Sequence, residues 1–245
     1  MEDLSLKPGE TVEDLLYGRL RIIQKRPGYR FSIDAVLLAA FTHVREGERL
    51  ADLGTGSGVI PLLLAFRHER LNITGLELDP HAAHMAERSV EMNGLSGRIS
   101  IMEGDLRSVR ALLPPESFGL AVANPPYGRL NSGRINADSG IAAARHEIRG
   151  SLDDFLAAAS YLLKYKGRLS LIYPARRGAD VIAGMRKVNI EPKRLRTVHP
   201  REGDGANLIL VEGVKGGGVE MEVMRPLYIY DCDGNYTSEV EEMYR

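Results

Sequence analysis

Residues 52–58 read Asp52-Leu53-Gly54-Thr55-Gly56-Ser57-Gly58, between an apolar strand, Arg49 to Leu53, and an apolar helix from about Val59 to Arg67. Glycine at alternate positions lets a backbone turn sharply and approach a ligand with no β-carbon in the way. Such a turn needs a strand on one side and a helix on the other, and the chain repeats that alternation. Leu71 to Leu78, Arg98 to Met102, Phe118 to Ala123 and Arg168 to Tyr173 read as further strands. Pro80 opens a helix that Gly94 closes, Ser151 caps an amphipathic helix running to Tyr165, and another helix ends near Asn189. The strand candidates Leu195 to His199 and Leu208 to Gly213 follow one another with no helix between, so they should pair antiparallel. This order predicts an α/β fold, an open and mainly parallel sheet with helices on both faces. Ligands of such sheets bind outside the carboxyl ends of the strands.

Composition narrows the class. Of 245 residues, 44% are hydrophobic and 27% charged, a globular rather than a disordered balance. The longest apolar runs, such as Val59 to Phe66, fall well short of the ~18 residues that a membrane helix needs. No basic patch followed by an apolar core opens the chain, so no secretory signal is read and a cytoplasmic setting is expected. Cys232 is the single cysteine, which excludes an internal disulfide. His81, His84 and His146 have no carboxylate partner at suitable spacing, so no metal site is expected. The net charge of -1 hides an uneven distribution: Lys164 to Arg201 carries eleven basic residues against Asp180 and Glu191, and Arg19 to Arg30 carries five with no acid. Basic stretches of this kind form either a stripe for phosphates or ordinary solvated faces.

The glycine turn alone is compatible with a purely structural role. It is not a dinucleotide fingerprint, because its third glycine comes one residue early, nor a P-loop, because no Gly-Lys-Ser/Thr follows. The acids at the next two strand ends give it a direction. Glu77, with Leu78 after it, ends the second strand beside the turn, where a carboxylate can accept both hydroxyl protons of a ribose. Asp79 reads as the cap before Pro80. Asp105 follows the third strand, where it can accept from the amino group of an adenine. Glycines, Glu and Asp at three successive strand ends favour a nucleoside site.

These residues resemble the class I S-adenosylmethionine-dependent methyltransferases, whose cofactor motifs match residues 52–58, Glu77 and Asp105 in order and spacing. The resemblance implies a Rossmann-like, seven-stranded sheet with its terminal strand inserted antiparallel, and S-adenosylmethionine as cofactor. It implies that Asp52, Gly54, Thr55, Gly56 and Gly58 pack against the methionine part, that Glu77 holds the ribose, and that Asp105 reads the adenine.

The fourth strand ends in Asn124-Pro125-Pro126-Tyr127. Two prolines cannot donate backbone hydrogen bonds and fix their own φ, so they hold a stiff, non-helical corner. Its carbonyls and the Asn124 side chain are acceptors, and Tyr127 offers a flat face for stacking. An exocyclic amine on adenine is a poor nucleophile, because its lone pair is delocalised into the ring. If Asn124 and the Pro125 carbonyl accept its protons, the nitrogen can pyramidalise and aim its lone pair at a methyl group. Alignment and desolvation then supply most of the catalysis without a strong base. The tetrapeptide resembles the signature of methyltransferases acting on planar nitrogens: adenine N6, cytosine N4 and the glutamine amide.

Over nearly its whole length the chain resembles the bacterial family that methylates N6 of the adenine beside the anticodon of a valine tRNA. The matching pieces are Tyr29 to Leu38, Asn124 to Tyr127, Arg145-His146-Glu147, Leu227 to Tyr230, and Tyr236-Thr237. Gly128 and Arg129 depart from the pattern, since an aromatic or apolar residue is expected there. The resemblance implies three parts: residues 1–48 closing the cofactor pocket, with Phe31 and Asp34 as candidates; a methyltransferase domain over 49–215; and a tail over 216–245 packed on the same domain. Arg145, His146, Arg176 and Arg177 are the candidate substrate-side residues, with Gly128 to Gly140 as a loop over the substrate. The partner implied is RNA, a tRNA in particular. A DNA methyltransferase is disfavoured, since no target-recognition domain is obvious in the chain. Two other readings stay open. One is a protein glutamine methyltransferase, whose family usually carries a helical domain ahead of the sheet where here about fifty residues precede Asp52. The other is a non-catalytic RNA-binding protein on the same fold.

Overall fold

A computed structural model describes residues 6–25, 33–127 and 150–245. It opens with a hairpin, β1 (Glu10–Leu15) and β2 (Leu20–Lys25), then α1 (Ile33–Phe41). The alternating part follows: β3 (Arg49–Leu53), α2 (Val59–Arg67), β4 (Asn72–Glu77), α3 (Pro80–Met92) and β5 (Ile99–Glu103). A 3-10 turn (Leu106–Ser108) leads into α4 (Val109–Leu112), β6 (Phe118–Ala123), α5 (Leu152–Leu162) and β7 (Leu163–Pro174). After a second 3-10 turn (Ala175–Arg177) come α6 (Gly178–Lys187), β8 (Ile190–His199), β9 (Leu208–Lys215), β10 (Glu222–Val223), β11 (Leu227–Tyr228) and α7 (Ser238–Glu242).

Strands β3 to β11 form one sheet, ordered β10-β8-β9-β7-β6-β3-β4-β5, with β11 also on β8. Its ladders are parallel except where β9 pairs antiparallel with β7 on one side and β8 on the other. The expected seven strands are therefore β3 to β9, with the last inserted antiparallel, and two two-residue strands extend the β8 edge. Strand order reverses between β3 and β6, the point at which open α/β sheets bind their ligands.

The apolar runs of the central strands follow from burial on both faces. Leu50, Leu120 and Val122 pack with the hairpin, α1, α2 and the tail. Ala51, Leu53, Ala121 and Ala123 pack with α5 and α6 on the other face, among Phe155, Leu156, Val181 and Met185. In the tail, Leu227 and Val240 are fully buried against the first of these clusters. The Arg67 side chain donates to the carbonyl of Met243.

Three features differ from the sequence expectation. The hairpin ahead of α1 has no clear alternation, because both Ile22 and Ile23 are buried in β2. The helix from Leu152 stops at Leu162 rather than Tyr165, since Leu163 already pairs with Phe118 and Lys166 takes a left-handed φ of 63° where the register shifts. β8 starts at Ile190, five residues before Leu195, with an irregularity at Pro192/Arg194 that hides its period. Asp79 caps α3 by accepting from the His81 amide (2.9 Å), and Ser151 and Asp154 form a capping box on α5.

Candidate active site

A cavity of about 430 Å³ opens at the carboxyl ends of β3, β4, β5 and β6, large enough for a small-molecule ligand. Gly54, Thr55, Gly56, Glu77, Leu78, Asp105 and the whole Asn124 to Tyr127 corner line it. The residues singled out at four strand ends thus surround one space.

The glycine turn is stapled to its neighbour: the amides of Gly54 and Thr55 both donate to the Leu76 carbonyl, at 2.8 and 3.0 Å. Gly54, Gly56 and Gly58 take φ of 73°, 57° and 86°, the left-handed region that favours glycine. A β-carbon on Gly54 would stand 3.1 Å from the Phe155 ring, whereas one on Gly56 would meet nothing within 4 Å and project into open space. Glu77 is buried and oriented by two backbone donors, Gly56 N at 2.7 Å and Asp79 N at 2.9 Å. Asp105 is held differently. Arg107 chelates its carboxylate through Nε and Nη2 (2.6 to 2.9 Å) and through its amide (2.8 Å), and this pairing keeps the Asp105 carboxyl below its ordinary range.

Asp52 lies under the turn, fully buried, and among the described residues neither of its carboxylate oxygens has a hydrogen-bond partner; the buried Thr55 hydroxyl has none there either. Burial pushes the Asp52 carboxyl up to about 7; the nearby Thr55 hydroxyl opposes this and the Glu77 charge adds to it. Buried groups with unmet hydrogen-bonding capacity beneath an open glycine cradle fit a ligand that carries donors and a positive charge. The methionine ammonium of S-adenosylmethionine is of that kind, and Glu77 at the next strand end has the acceptors for a ribose.

The acceptor side is built from side chains. The Tyr127 hydroxyl lies 2.6 Å from Asp34 Oδ2 on α1 and 2.9 Å from Asn124 Oδ1. Its ring stands edge-on to Tyr173, with centroids 5.7 Å apart. Arg177 lies over Tyr173, bonds its hydroxyl at 3.0 Å and pairs with Asp180 at 2.8 Å, so its charge is partly engaged within the protein, while Arg176 is exposed. Asp34, a cofactor candidate in the sequence, accepts from Tyr127 of the corner. Phe31, Arg145, His146, Gly128 and Arg129 lie outside the described residues.

Sequence reasoning missed the apolar wall of the cavity, including Ala35, Ile60, Leu106 and Phe155. Phe155 sits on the buried face of α5, where its spacing is that of any core residue. It also missed Arg107, whose only signal is its place two residues after Asp105. Among the described residues no cluster of His, Cys, Asp and Glu could hold a metal, and no helix is long and apolar enough to cross a membrane.

Residues 32–188 match the model of the methyltransferase small domain. The chain belongs to that family. It is 30% identical to the tRNA1(Val) (adenine(37)-N6)-methyltransferase of Aeromonas salmonicida over 90% of this chain and 91% of that one. It is 35% identical to the protein of the same name from Porphyromonas gingivalis W83 over 71% of each. Among solved structures it resembles a protein from Agrobacterium tumefaciens described as a predicted O-methyltransferase, with a TM-score of 0.71, 29% identity, and 86% of this chain and 95% of that one covered. The chain is thus a class I methyltransferase, and S-adenosylmethionine is its methyl donor.

Proposed function

We propose that this methyltransferase methylates N6 of an adenine in RNA, and that the RNA is a tRNA of the tRNA1(Val) type, methylated in its anticodon loop. The observation that carries the reading is the shared cavity: Asn124, Pro125, Pro126 and Tyr127 line the same space as the glycine turn and Glu77. The curated relatives' names support the same acceptor.

In this reading Gly54 and Gly56 give the methionine part access to the backbone, while Gly58, which does not line the cavity, lets the turn pack closely on Ala86 of α3; Asp52 and Thr55 lie beneath the methionine part, Glu77 takes the ribose hydroxyls, and Leu78 and Asp105 border the adenine. When bound, S-adenosylmethionine supplies a methyl group already activated on a sulfonium sulfur. Asn124 Oδ1 and the Pro125 carbonyl accept the two amine protons of the target base, which localises the nitrogen lone pair. Pro126 keeps the corner rigid, and Tyr127 stacks on the base. An unpaired loop nucleotide enters such a pocket at less cost than a paired one. The exposed Arg176, which follows β7, would meet phosphate in this reading.

O-methylation would need a base to take a hydroxyl proton. Among the described residues, the carboxylates lining the cavity are Glu77, held by two amides, and Asp105, chelated by Arg107, and this supports an amine acceptor. The test is incubation of the protein with total tRNA, rRNA or cell protein and labelled S-adenosylmethionine, followed by nucleoside and amino-acid analysis. Label in N6-methyladenosine of tRNA is expected. Label in methylglutamine or a ribose or base oxygen would overturn the reading.

A further inference from the structure

The Tyr127 hydroxyl lies between two acceptors, Asp34 Oδ2 at 2.6 Å and Asn124 Oδ1 at 2.9 Å, yet a phenol has one proton to give. A carboxylate is the stronger acceptor, and it also makes the shorter contact. With the proton directed at Asp34, the phenol oxygen offers Asn124 lone pairs only. A half-turn of the Asn124 amide exchanges its oxygen and nitrogen, so that Nδ2 donates to the phenol and Oδ1 lies at the other end of the group. That end is the one the target amine needs. If Asp34 were absent, the phenol would instead donate to Asn124 Oδ1 and cap it.

From this geometry, and resting on the amine-acceptor reading above, we infer that Asp34 is a positioning residue: by claiming the Tyr127 proton it sets which end of the Asn124 amide faces the substrate. Burial of Asp34 and edge-on packing of Tyr127 against Tyr173 hold the phenol within reach of both Asp34 and Asn124 through small movements. The device joins α1, ninety residues earlier in the chain, to the catalytic corner.

The test compares Asp34→Ala, Asp34→Asn and Tyr127→Phe, alone and combined, by steady-state methylation of a tRNA substrate and by melting with S-adenosylhomocysteine. Asp34→Ala is expected to lower kcat about thirty-fold, the scale of one charge-assisted hydrogen bond, while the ligand-induced melting shift stays. Adding Tyr127→Phe removes the capping hydroxyl and should bring kcat back to within about three-fold of Tyr127→Phe alone, a rescue that a merely structural Asp34 would not produce. Asp34→Asn, which preserves volume, leaves two amides competing for one proton. Its loss should be about five-fold and should vanish in the Tyr127→Phe background, so this pair decides the matter even where the alanine variant does not fold. A double variant as slow as the product of its singles would overturn the inference, as would loss of the S-adenosylhomocysteine shift in Asp34→Asn. If the wild-type protein methylates adenine N6 and the rescue is missing, only this inference falls. Without wild-type adenine methylation, the function proposed above falls and this inference with it.

Discussion

The two halves of the cavity are held by different kinds of bond. On the donor side the backbone does the holding: the amides of Gly54 and Thr55 bond to Leu76, and those of Gly56 and Asp79 fix both oxygens of Glu77. On the acceptor side, side chains from three distant segments hold one another, Asp34 to Tyr127 to Asn124, with Tyr173 and Arg177 behind. Backbone contacts between paired strands are fixed once the sheet forms, so the donor half is pre-organised by the fold itself. The acceptor half can change its hydrogen bonds by turning a few side-chain torsions, as suits a surface that must admit and release a base of a large substrate.

The sharpest way to separate the halves is Asn124→Ala. It should lower turnover by about 10³-fold, the effect of removing a hydrogen-bond partner that acts mainly in the transition state, and leave S-adenosylhomocysteine binding nearly unchanged. Calorimetric titration together with single-turnover methylation checks both. A parallel loss of ligand affinity would mean that the halves are not separable. Glu77→Ala is the converse. It removes an acceptor pre-aimed by two amides and should weaken S-adenosylhomocysteine about 100-fold, with a smaller effect on kcat at saturating cofactor.

The same contrast decides what was legible in the sequence. Gly54, Gly56, Glu77 and Asp105 could be placed before any coordinates, because each sits at a strand end and parallel register aligns strand ends, as when Leu53 pairs with both Leu76 and Ala123. The corner at Asn124 was legible for a similar reason, since two prolines admit few conformations. The partner of Tyr127 was not. Asp34 is 93 residues away, and no periodicity links a helix's first turn to a loop after the sixth strand. Arg107 is close in sequence to Asp105, but its side chain's direction depends on the 3-10 turn that brings the two together. The hairpin and the early start of β8 escaped for a different reason: burial on both faces and a register irregularity erase the alternation on which strand reading relies.

Asp52 tests the donor half through stability. Its carboxyl is raised to about 7 in the folded protein from 3.8, so the native state binds the proton more tightly than the unfolded chain. Below the unfolded value both states are protonated and nothing is lost; as pH rises from about 4 to 7 the wild-type protein loses up to about 4 kcal/mol. Asp52→Asn has no such titration, although its buried amide retains part of the cost of unpaired polar atoms. At pH 8 it should be more stable than wild type by about 2 kcal/mol in the absence of ligand, and the gap should close as pH falls to 4. Denaturant unfolding at the two pH values measures it, and a gap independent of pH would mean that the carboxylate finds a partner in the ligand-free protein. A cationic ligand group near Asp52 should reverse the preference, so the same variant should bind S-adenosylhomocysteine more weakly at pH 8.

The smallest effect belongs to the donor-side ion pair of Asp105 and Arg107. Arg107 occupies both oxygens of Asp105 on a partly exposed surface, with side-chain exposures of 44% and 27%, where ion pairs contribute little. For Asp105 to accept from an adenine amine, Arg107 must either share the carboxylate or move aside. If it competes with the ligand, Arg107→Ala should tighten S-adenosylhomocysteine about three-fold; if it orients Asp105 for the ligand, affinity should fall by a similar factor. The pair's geometry favours orientation: a carboxylate offers about four acceptor positions, and Arg107 approaches along one edge together with its own amide. A modest loss of affinity is therefore expected, measured by calorimetric titration with the Arg107→Ala variant. A gain would put this contact with the acceptor side, as another bond that must break before the site can work.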